Sequence, residues 1–220
     1  MLYVVGTPIG NLDDITLRAL SVLKAVDLIA AEDTRHSRIL LRHYEIEKPL
    51  VSCHEHNEAR RTAELAERLA GGENIALITD AGMPGLSDPG ARLIRRCIER
   101  DLPFEIVPGV SAITTALVGS GFALERFCYR GFLPTKSGQR ERELRAAADR
   151  PETTLFFESP YRLTRTLSVC AELMSERPVC VARELTKKFE EFRRGRAAEL
   201  LAHYTAHPPK GEITLLVAGL

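Results

Sequence analysis

Asp80 stands where ligand chemistry is easiest to assemble. It follows the apolar run Ile75-Ala76-Leu77-Ile78 and opens Ala81-Gly82-Met83-Pro84-Gly85-Leu86-Ser87-Asp88-Pro89-Gly90, a loop holding three glycines and two prolines. A carboxylate at a strand end can accept hydrogen bonds from hydroxyl or ammonium groups, and glycines let the backbone approach a ligand closely. Ordinary connections from strand to helix run about 2–6 residues, so a loop of this length reads as a ligand crevice. Two further polar bursts follow apolar runs. Glu32-Asp33-Thr34-Arg35-His36-Ser37 follows residues 27–31. Asp33 and Arg35 read either as facing the same crevice as Asp80 or as a helix cap with a surface ion pair. His54-Glu55-His56-Asn57-Glu58 follows Leu50-Val51-Ser52-Cys53. An H-x-H pair beside a cysteine raises the question of a metal. The spacing is not H-E-x-x-H and no second ligand pair stands at standard spacing, so no metal is expected and the histidines remain as substrate contacts.

Other chemistries are excluded by pattern. The first loop, Gly6-Thr7-Pro8-Ile9-Gly10-Asn11, has neither the G-x-G-x-x-G of a dinucleotide site nor the G-K-[ST] of a triphosphate site. Gly85-Leu86-Ser87-Asp88-Pro89 misses the nucleophile elbow G-x-S-x-G by its last residue. Lys plus Arg and Asp plus Glu both number 30, so the overall charge favours neither nucleic acid nor membrane. Arg92, Arg95 and Arg96, then Lys136 with Arg140, Arg142 and Arg145, then Arg193, Arg194 and Arg196 form local basic clusters; each could meet phosphates, but with acidic residues interspersed they read rather as solvated faces. Cys53, Cys97, Cys128, Cys170 and Cys180 are odd in number and contain no C-x-x-C pair, which suits reduced thiols. Met1 leads straight into a strand and no apolar run is long enough to span a bilayer, so a cytoplasmic protein is expected.

The elements that position these residues follow from hydrophobic period. Short apolar runs at Leu2-Tyr3-Val4-Val5, 27–31, 50–53, 75–78 and 104–107 alternate with amphipathic stretches, the pattern of a parallel α/β sheet. Asp13 or Asp14, Asp33 or Thr34, Asn57, and Asp88 before Pro89 are the expected helix caps. Ser111 is expected to cap a helix apolar on nearly every side, through Ile113, Ala116, Leu117 and Val118, and therefore buried. Gly119-Ser120-Gly121 marks the expected boundary between a first α/β domain, residues 1–118, and a second, residues 119–220. In the second, strand-like runs at 127–132, 153–157, 179–182, 189–193 and 213–218 are separated by fewer helices, at 139–148, 162–174 and 197–204, which suggests hairpins and a mixed sheet. The fold class is two α/β domains with a cleft between them.

In order, the chain carries Gly6-Thr7-Pro8-Ile9-Gly10-Asn11, Ala31-Glu32-Asp33-Thr34-Arg35, His54-Glu55-His56-Asn57-Glu58, the loop from Thr79 to Gly90, Pro108-Gly109-Val110-Ser111-Ala112 and Gly131-Phe132-Leu133-Pro134. Phe157-Glu158-Ser159-Pro160-Tyr161-Arg162, Ala182-Arg183-Glu184-Leu185-Thr186-Lys187 and Lys210-Gly211-Glu212 continue the series. Together they resemble the tetrapyrrole methylase superfamily, in the branch that methylates ribosomal RNA, over essentially the whole chain. The resemblance implies S-adenosylmethionine as methyl donor in the interdomain cleft, a homodimer, and 2′-O-methylation of a cytidine ribose in the decoding region of 16S rRNA, within the small ribosomal subunit. It places Pro8, Ile9, Asp80, Ala81, Gly82, Met83, Ser111 and Ala112 at the donor, with Phe132, Glu158, Ala182, Glu212 and Ile213 from the second domain. Transfer to a ribose oxygen needs in-line placement and loss of the hydroxyl proton. Glu184, Lys187, Asp33 and Lys210 are the candidate bases, with Glu184 also readable as an ion-pair partner of Arg183 or Lys187. A methylase of corrin or porphyrin precursors, and an RNA-binding module without a donor, are the alternatives. Members of this branch usually continue past Gly219 with a further segment.

Overall fold

The computed structural model describes all of residues 1–220, which fall into two compact units, Met1–Ser111 and Ala112–Leu220. In the first, β1 (Leu2–Val5), β2 (Leu28–Ala31), β3 (Leu50–Ser52), β4 (Ile75–Ile78) and β5 (Phe104–Val107) form a wholly parallel sheet in the order β3-β2-β4-β1-β5. All four residues of β2 and of β4 are buried, as a sheet covered on both faces requires. Side chains alternate between the faces. Ile29, Ala31, Ala76 and Ile78 pack against α1 (Leu17–Ala25) and α2 (Thr34–His43) through Ala19, Leu23 and Leu41. Leu28, Ala30, Ile75 and Leu77 pack against α3 (Glu58–Ala70) and α4 (Ala91–Glu99) through Leu65, Leu69, Leu93 and Cys97.

The second unit begins with α5 (Ala112–Ser120), followed by β6 (Phe127–Phe132), α6 (Ser137–Ala148), β7 (Thr153–Glu158), α7 (Leu163–Leu173), β8 (Pro178–Arg183), β9 (Glu191–Arg196), α8 (Ala197–Ala206) and β10 (Ile213–Val217). The sheet runs β6-β7-β10-β8-β9, with β6 parallel to β7 and every other pair antiparallel. The mixed sheet and the β8–β9 hairpin agree with the runs seen in sequence. One face carries α6, α7 and α8, whose Leu144, Leu167, Cys170, Leu200 and Tyr204 meet Phe156, Val179, Val181, Leu215 and Val217. Alternation along β9 turns Phe192 and Arg194 to the other face. There Gly119 of α5 lies against the Phe192 ring, and Arg194 donates to the carbonyls of Gly119 and of Ser120, the latter at 2.8 Å.

That packing explains why the chain divides after Ser111, ahead of α5, and not at Gly119-Ser120-Gly121, which ends this helix. Nor is α5 buried all round: Ile113, Ala116 and Leu117 are buried but Val118 is 68% exposed, because only one face meets the sheet. Three caps also differ from expectation. Asp13 and Asp14 lie in a 3-10 turn (Leu12–Asp14), and Thr16 caps α1, its hydroxyl accepting from Ala19 N–H at 3.0 Å. Asn57 precedes α3 but spends its side chain on His54 and Ser52. Asp88 and Pro89 remain in the loop, and α4 starts after Gly90, whose φ of 127° suits glycine. The carboxylate of Glu58, from α3, accepts from the N–H of Gly90 at 2.8 Å and of Arg92 at 3.4 Å, and so performs the capping. Asp33 caps α2 as expected, accepting from Arg35 N–H at 2.8 Å.

Candidate functional site

Parallel pairing brings the C-terminal ends of β1, β2, β3, β4 and β5 to one edge of the first sheet. From β1 and β2 the chain leaves toward the face covered by α1 and α2. From β4, which lies between them, it leaves toward the face covered by α4. Loops that diverge to opposite faces open a crevice, the usual ligand position in sheets of this type. The loops after β1, β2 and β4 line it, and they hold Pro8, Ile9, Asp33, Asp80, Ala81, Gly82 and Met83.

Short-range bonds fix this edge. Thr7 and Gly82 exchange two backbone hydrogen bonds, at 2.9 and 3.1 Å, which tie the loops after β1 and β4 together. The Thr7 hydroxyl donates to the carbonyl of Thr79 at 3.1 Å. A Cβ at Gly6 would lie 2.7 Å from Met83 Sδ and 2.8 Å from Gly109 N, so only glycine permits this approach of three loops. Gly82 has φ +77°, and a Cβ there would meet Ile9 Cγ2 at 3.6 Å. Asp80 Oδ1 accepts from Asp33 N–H at 3.2 Å, and Asp80 N–H donates to Glu32 Oε2 at 3.4 Å. Pro8 and Ile9 are buried, while Asp80, Ala81 and Met83 are half-buried.

Three carboxylates therefore converge on one crevice, and they differ in character. Asp33 is gripped by the Arg35 guanidinium at 3.1 and 2.7 Å and by the Arg35 N–H, which hold its carboxyl far below the usual range. Glu32 is pushed the other way. Burial raises its pKa, the neighbouring charges of Asp80 and Asp33 add to the rise, and the Asp80 N–H offsets only part of it. Glu32 was not among the residues singled out from sequence, where nothing distinguishes it from its neighbour. His54 adds a second polar group. The Asn57 carboxamide oxygen accepts from His54 N–H at 2.9 Å, which fixes the amide so that its nitrogen faces His54 Nε2 at 3.1 Å. Nε2 is then the acceptor, and Nδ1 carries the proton, buried and without a partner in the protein. No group of three or more His, Cys, Asp or Glu side chains is arranged to hold a metal ion.

The remaining residues that the resemblance points to share one end of the second sheet. Glu158 pairs with Ile213, Ile213 with Arg183, and Arg183 with Glu191, so the loops 159–162, 184–190 and 210–212 emerge together. Phe132 is exposed there, while Ala182 and Ile213 are buried and offer a ligand only backbone. Glu158 is 3% exposed and its carboxylate is fully engaged, by Thr166 Oγ1 at 2.5 Å, Ser159 N–H at 2.7 Å and Arg162 at 2.7 Å. Glu184 has φ +51° and lies across Gly211, where a side chain would strike its carboxyl. Its carboxylate accepts from Lys187 Nζ at 2.9 Å and Glu212 N–H at 3.0 Å, and Lys187 also reaches Glu212 at 2.8 Å. Burial raises the Glu184 pKa, but these bonds outweigh it and the net shift is downward. Burial lowers that of Lys187, and its two carboxylate partners reverse the sign. Both are held in the charged form, Lys187 as a poor base. Lys210 offers its carbonyl to Arg183 at 3.1 Å. Ser111 and Ala112 stand at the junction of the two units in the chain.

Comparison with known proteins gives this arrangement a family. The profile of the family described as Tetrapyrrole (Corrin/Porphyrin) Methylases matches residues 1–201. A Synechocystis protein named Ribosomal RNA small subunit methyltransferase I is 47% identical over 220 residues, all of this chain and 79% of the relative. Proteins of the same name from Thermotoga maritima and Haemophilus influenzae are 45% and 48% identical, covering 99% and 100% of this chain and 98% and 78% of their own lengths. Among solved structures, a uroporphyrin-III-C-methyltransferase from Thermus thermophilus superposes with a TM-score of 0.70 at 23% identity, covering 99% of this chain and 93% of its own. A diphthine synthase does so with a TM-score of 0.73 at 15% identity, covering 99% and 89%. The chain belongs to the tetrapyrrole (corrin/porphyrin) methylase family.

Proposed function

We propose that this protein is an S-adenosylmethionine-dependent methyltransferase acting in the cytoplasm on 16S rRNA of the small ribosomal subunit, where it methylates the ribose 2′-oxygen of a cytidine in the decoding region. The observation that carries the reading is identity of 45–48% along the whole chain to proteins named Ribosomal RNA small subunit methyltransferase I. The edge around β4 fits the donor chemically. Asp80 Oδ2 has no partner in the protein, and with Asp33 paired to Arg35 the carboxylates of Asp80 and Glu32 make the crevice attractive to a cation. When bound, the donor would supply a methyl group on a sulfonium, ready for displacement by an oxygen nucleophile.

In this reading Gly82, Pro8, Ile9, Ala81 and Met83 shape the donor cradle, Asp80 accepts from donor hydroxyl or ammonium groups, and Ser111 and Ala112 complete the wall. Phe132, Glu158, Ala182, Glu212 and Ile213 contribute from the second unit, Glu158 through its backbone because its carboxylate is occupied. The acceptor hydroxyl must lose its proton as the oxygen bonds to carbon. Of the bases considered, Asp33, Glu184 and Lys187 are tied into ion pairs and held charged, and Lys210 remains open. Glu32 is better suited, since a carboxylate with a raised pKa takes a proton more readily. The enzyme acts as a homodimer.

The test is transfer of labelled methyl from S-adenosylmethionine to unmodified small-subunit RNA or particles, with the product mapped by resistance of the linkage to alkali. Label on the ribose of a decoding-region cytidine supports the reading. Label on a base, or label only on a corrin or porphyrin precursor, contradicts it.

A further inference from the structure

Arg140 is a buried cation with no counter-ion. It is 7% exposed, forms no ion pair, and the one hydrogen bond of its side chain runs from Nη1 to the carbonyl of Thr135 at 3.2 Å, which leaves Nε without a partner. A buried guanidinium without a counter-ion is costly, and a buried donor unpaired within the protein takes its partner from outside it, a water or an ion. The position sharpens the point. Thr135 stands just before the N-cap residue of α6, so the head of Arg140 lies beneath the first turn of this 12-residue helix. That turn is itself open. Lys136, the N-cap residue, makes no side-chain capping bond, no acidic residue follows in the first turn, and the N–H groups of Ser137, Gly138 and Gln139 find no acceptor in the protein. Lys136 forms no ion pair, and residues 135 to 139 are all exposed above the buried Arg140. Cations at a helix N-terminus oppose the usual preference for negative charge there. Three free N–H groups and an ammonium thus stand over a guanidinium that no carboxylate balances, and a compact multidentate anion at the turn would answer all of them.

We propose that the first turn of α6, with Lys136 and Arg140, is a phosphate-binding site, and that the phosphate it holds in function belongs to the backbone of the acceptor RNA. The site itself stands on the geometry. Its assignment to RNA rests on the function proposed above. Because β6 and β7 are parallel, the N-terminus of α6 lies at the end of the sheet that carries Phe132, the loop after Glu158 and Tyr161. Phe132 is 60% exposed and Tyr161 91%, and exposed rings beside a phosphate site suit a segment of unpaired nucleotides, whose bases stack on aromatic faces.

The test uses the full chain and two probes. With inorganic phosphate exchanged for chloride at constant ionic strength, the melting temperature should rise and saturate. In Ser137→Asp a carboxylate occupies the first helical position, where the dipole welcomes it, so this variant should fold at least as well and lose the phosphate response. Lys136→Ala should weaken the response. A wild-type chain that does not respond, or a Ser137→Asp variant that responds in full, overturns the site. With a fragment of small-subunit RNA, Lys136→Ala should bind several-fold more weakly and with a salt slope reduced by about 1, while S-adenosylmethionine binding stays unchanged. RNA binding unaffected in a variant that has lost its phosphate response overturns the RNA assignment. Absence of donor binding or of methyl transfer in the wild type contradicts the proposed function and leaves the phosphate result standing.

Discussion

The carboxylate of Asp80 accepts the backbone N–H of Asp33 at 3.2 Å, and so fastens the loop after β4 to the loop after β2. Glu32 returns the bond by accepting the Asp80 N–H at 3.4 Å. The two strand ends therefore share their acidic residues, and the pair that results is asymmetric: Asp33 is neutralised by Arg35, whereas Glu32 keeps an uncompensated, partly desolvated charge.

That asymmetry has a pH signature. The folded pKa of Glu32 lies above its ordinary 4.5, so its contribution to stability is fully present below 4.5 and is lost as pH rises through the folded value. At neutral pH the charge on Glu32 costs stability. Glu32→Gln keeps an oxygen for the Asp80 N–H, and should melt at an equal or higher temperature than the wild type at pH 7, with the difference vanishing near pH 4. If Glu32 takes the acceptor proton, the same variant should lose about 10²–10⁴-fold in kcat. Unfolding followed across pH, together with single-turnover methylation, checks both. Full activity in Glu32→Gln would move the base to another residue.

Gly6 permits three loops to meet, and a methyl group there has no room. A Cβ would sit 2.7 Å from Met83 Sδ and 2.8 Å from the backbone nitrogen of Gly109. Met83 can move but the Gly109 backbone cannot do so without shifting its loop. Gly6→Ala should destabilise the fold by about 1–3 kcal/mol and weaken donor binding, read by denaturant unfolding and by titration. Gly72→Ala makes a control, because φ +94° strains it while a Cβ there meets nothing.

The caps supply a sharper test of the first helix. Thr16→Ala removes the hydroxyl that accepts from Ala19 N–H at 3.0 Å and should cost about 1 kcal/mol. Asp13→Ala, on an exposed residue of the preceding 3-10 turn, should change stability by less than about 0.5 kcal/mol. Equal effects in denaturant melts would argue that the cap lies elsewhere.

Glu158 holds the second unit together from inside. Its carboxylate is buried and takes Thr166, Ser159 and Arg162 as partners. Glu158→Ala leaves Arg162, itself largely buried, without its acid, and should cost about 3–5 kcal/mol. The loss should appear in unfolding experiments without any donor present. A variant of undiminished stability that fails only in donor binding would show that Glu158 acts through its side chain on the ligand.

Much of this was legible in the chain because burial on both faces of a parallel sheet leaves continuous apolar runs. Leu28-Ile29-Ala30-Ala31 and Ile75-Ala76-Leu77-Ile78 could be read as strands for that reason, and the long glycine loop after β4 as a crevice. The misreadings arose where the deciding partner is one that local pattern does not single out. Asp88 and Pro89 look like the start of a helix, but the N–H of Gly90 is satisfied by Glu58, which lies 32 residues earlier. Asn57 looks like a cap, yet its amide is committed to His54 and Ser52. Gly119-Ser120-Gly121 looks like a linker, although Gly119 is small because the Phe192 ring occupies the space of a side chain. Glu32 and Asp33 are adjacent carboxylates in sequence, and only the fold, by giving Arg35 to one of them, separates their chemistry.

The central claim is that the loops around β4 bind S-adenosylmethionine, and calorimetric titration of the donor into the intact chain and into Asp80→Asn tests it most directly. The asparagine keeps an oxygen for the Asp33 N–H and removes only the charge. Saturable binding by the intact chain, weakened about 10- to 100-fold in the variant as the loss of one charged hydrogen bond requires, is the predicted result. No binding by the intact chain, or equal binding by both proteins, would contradict the account.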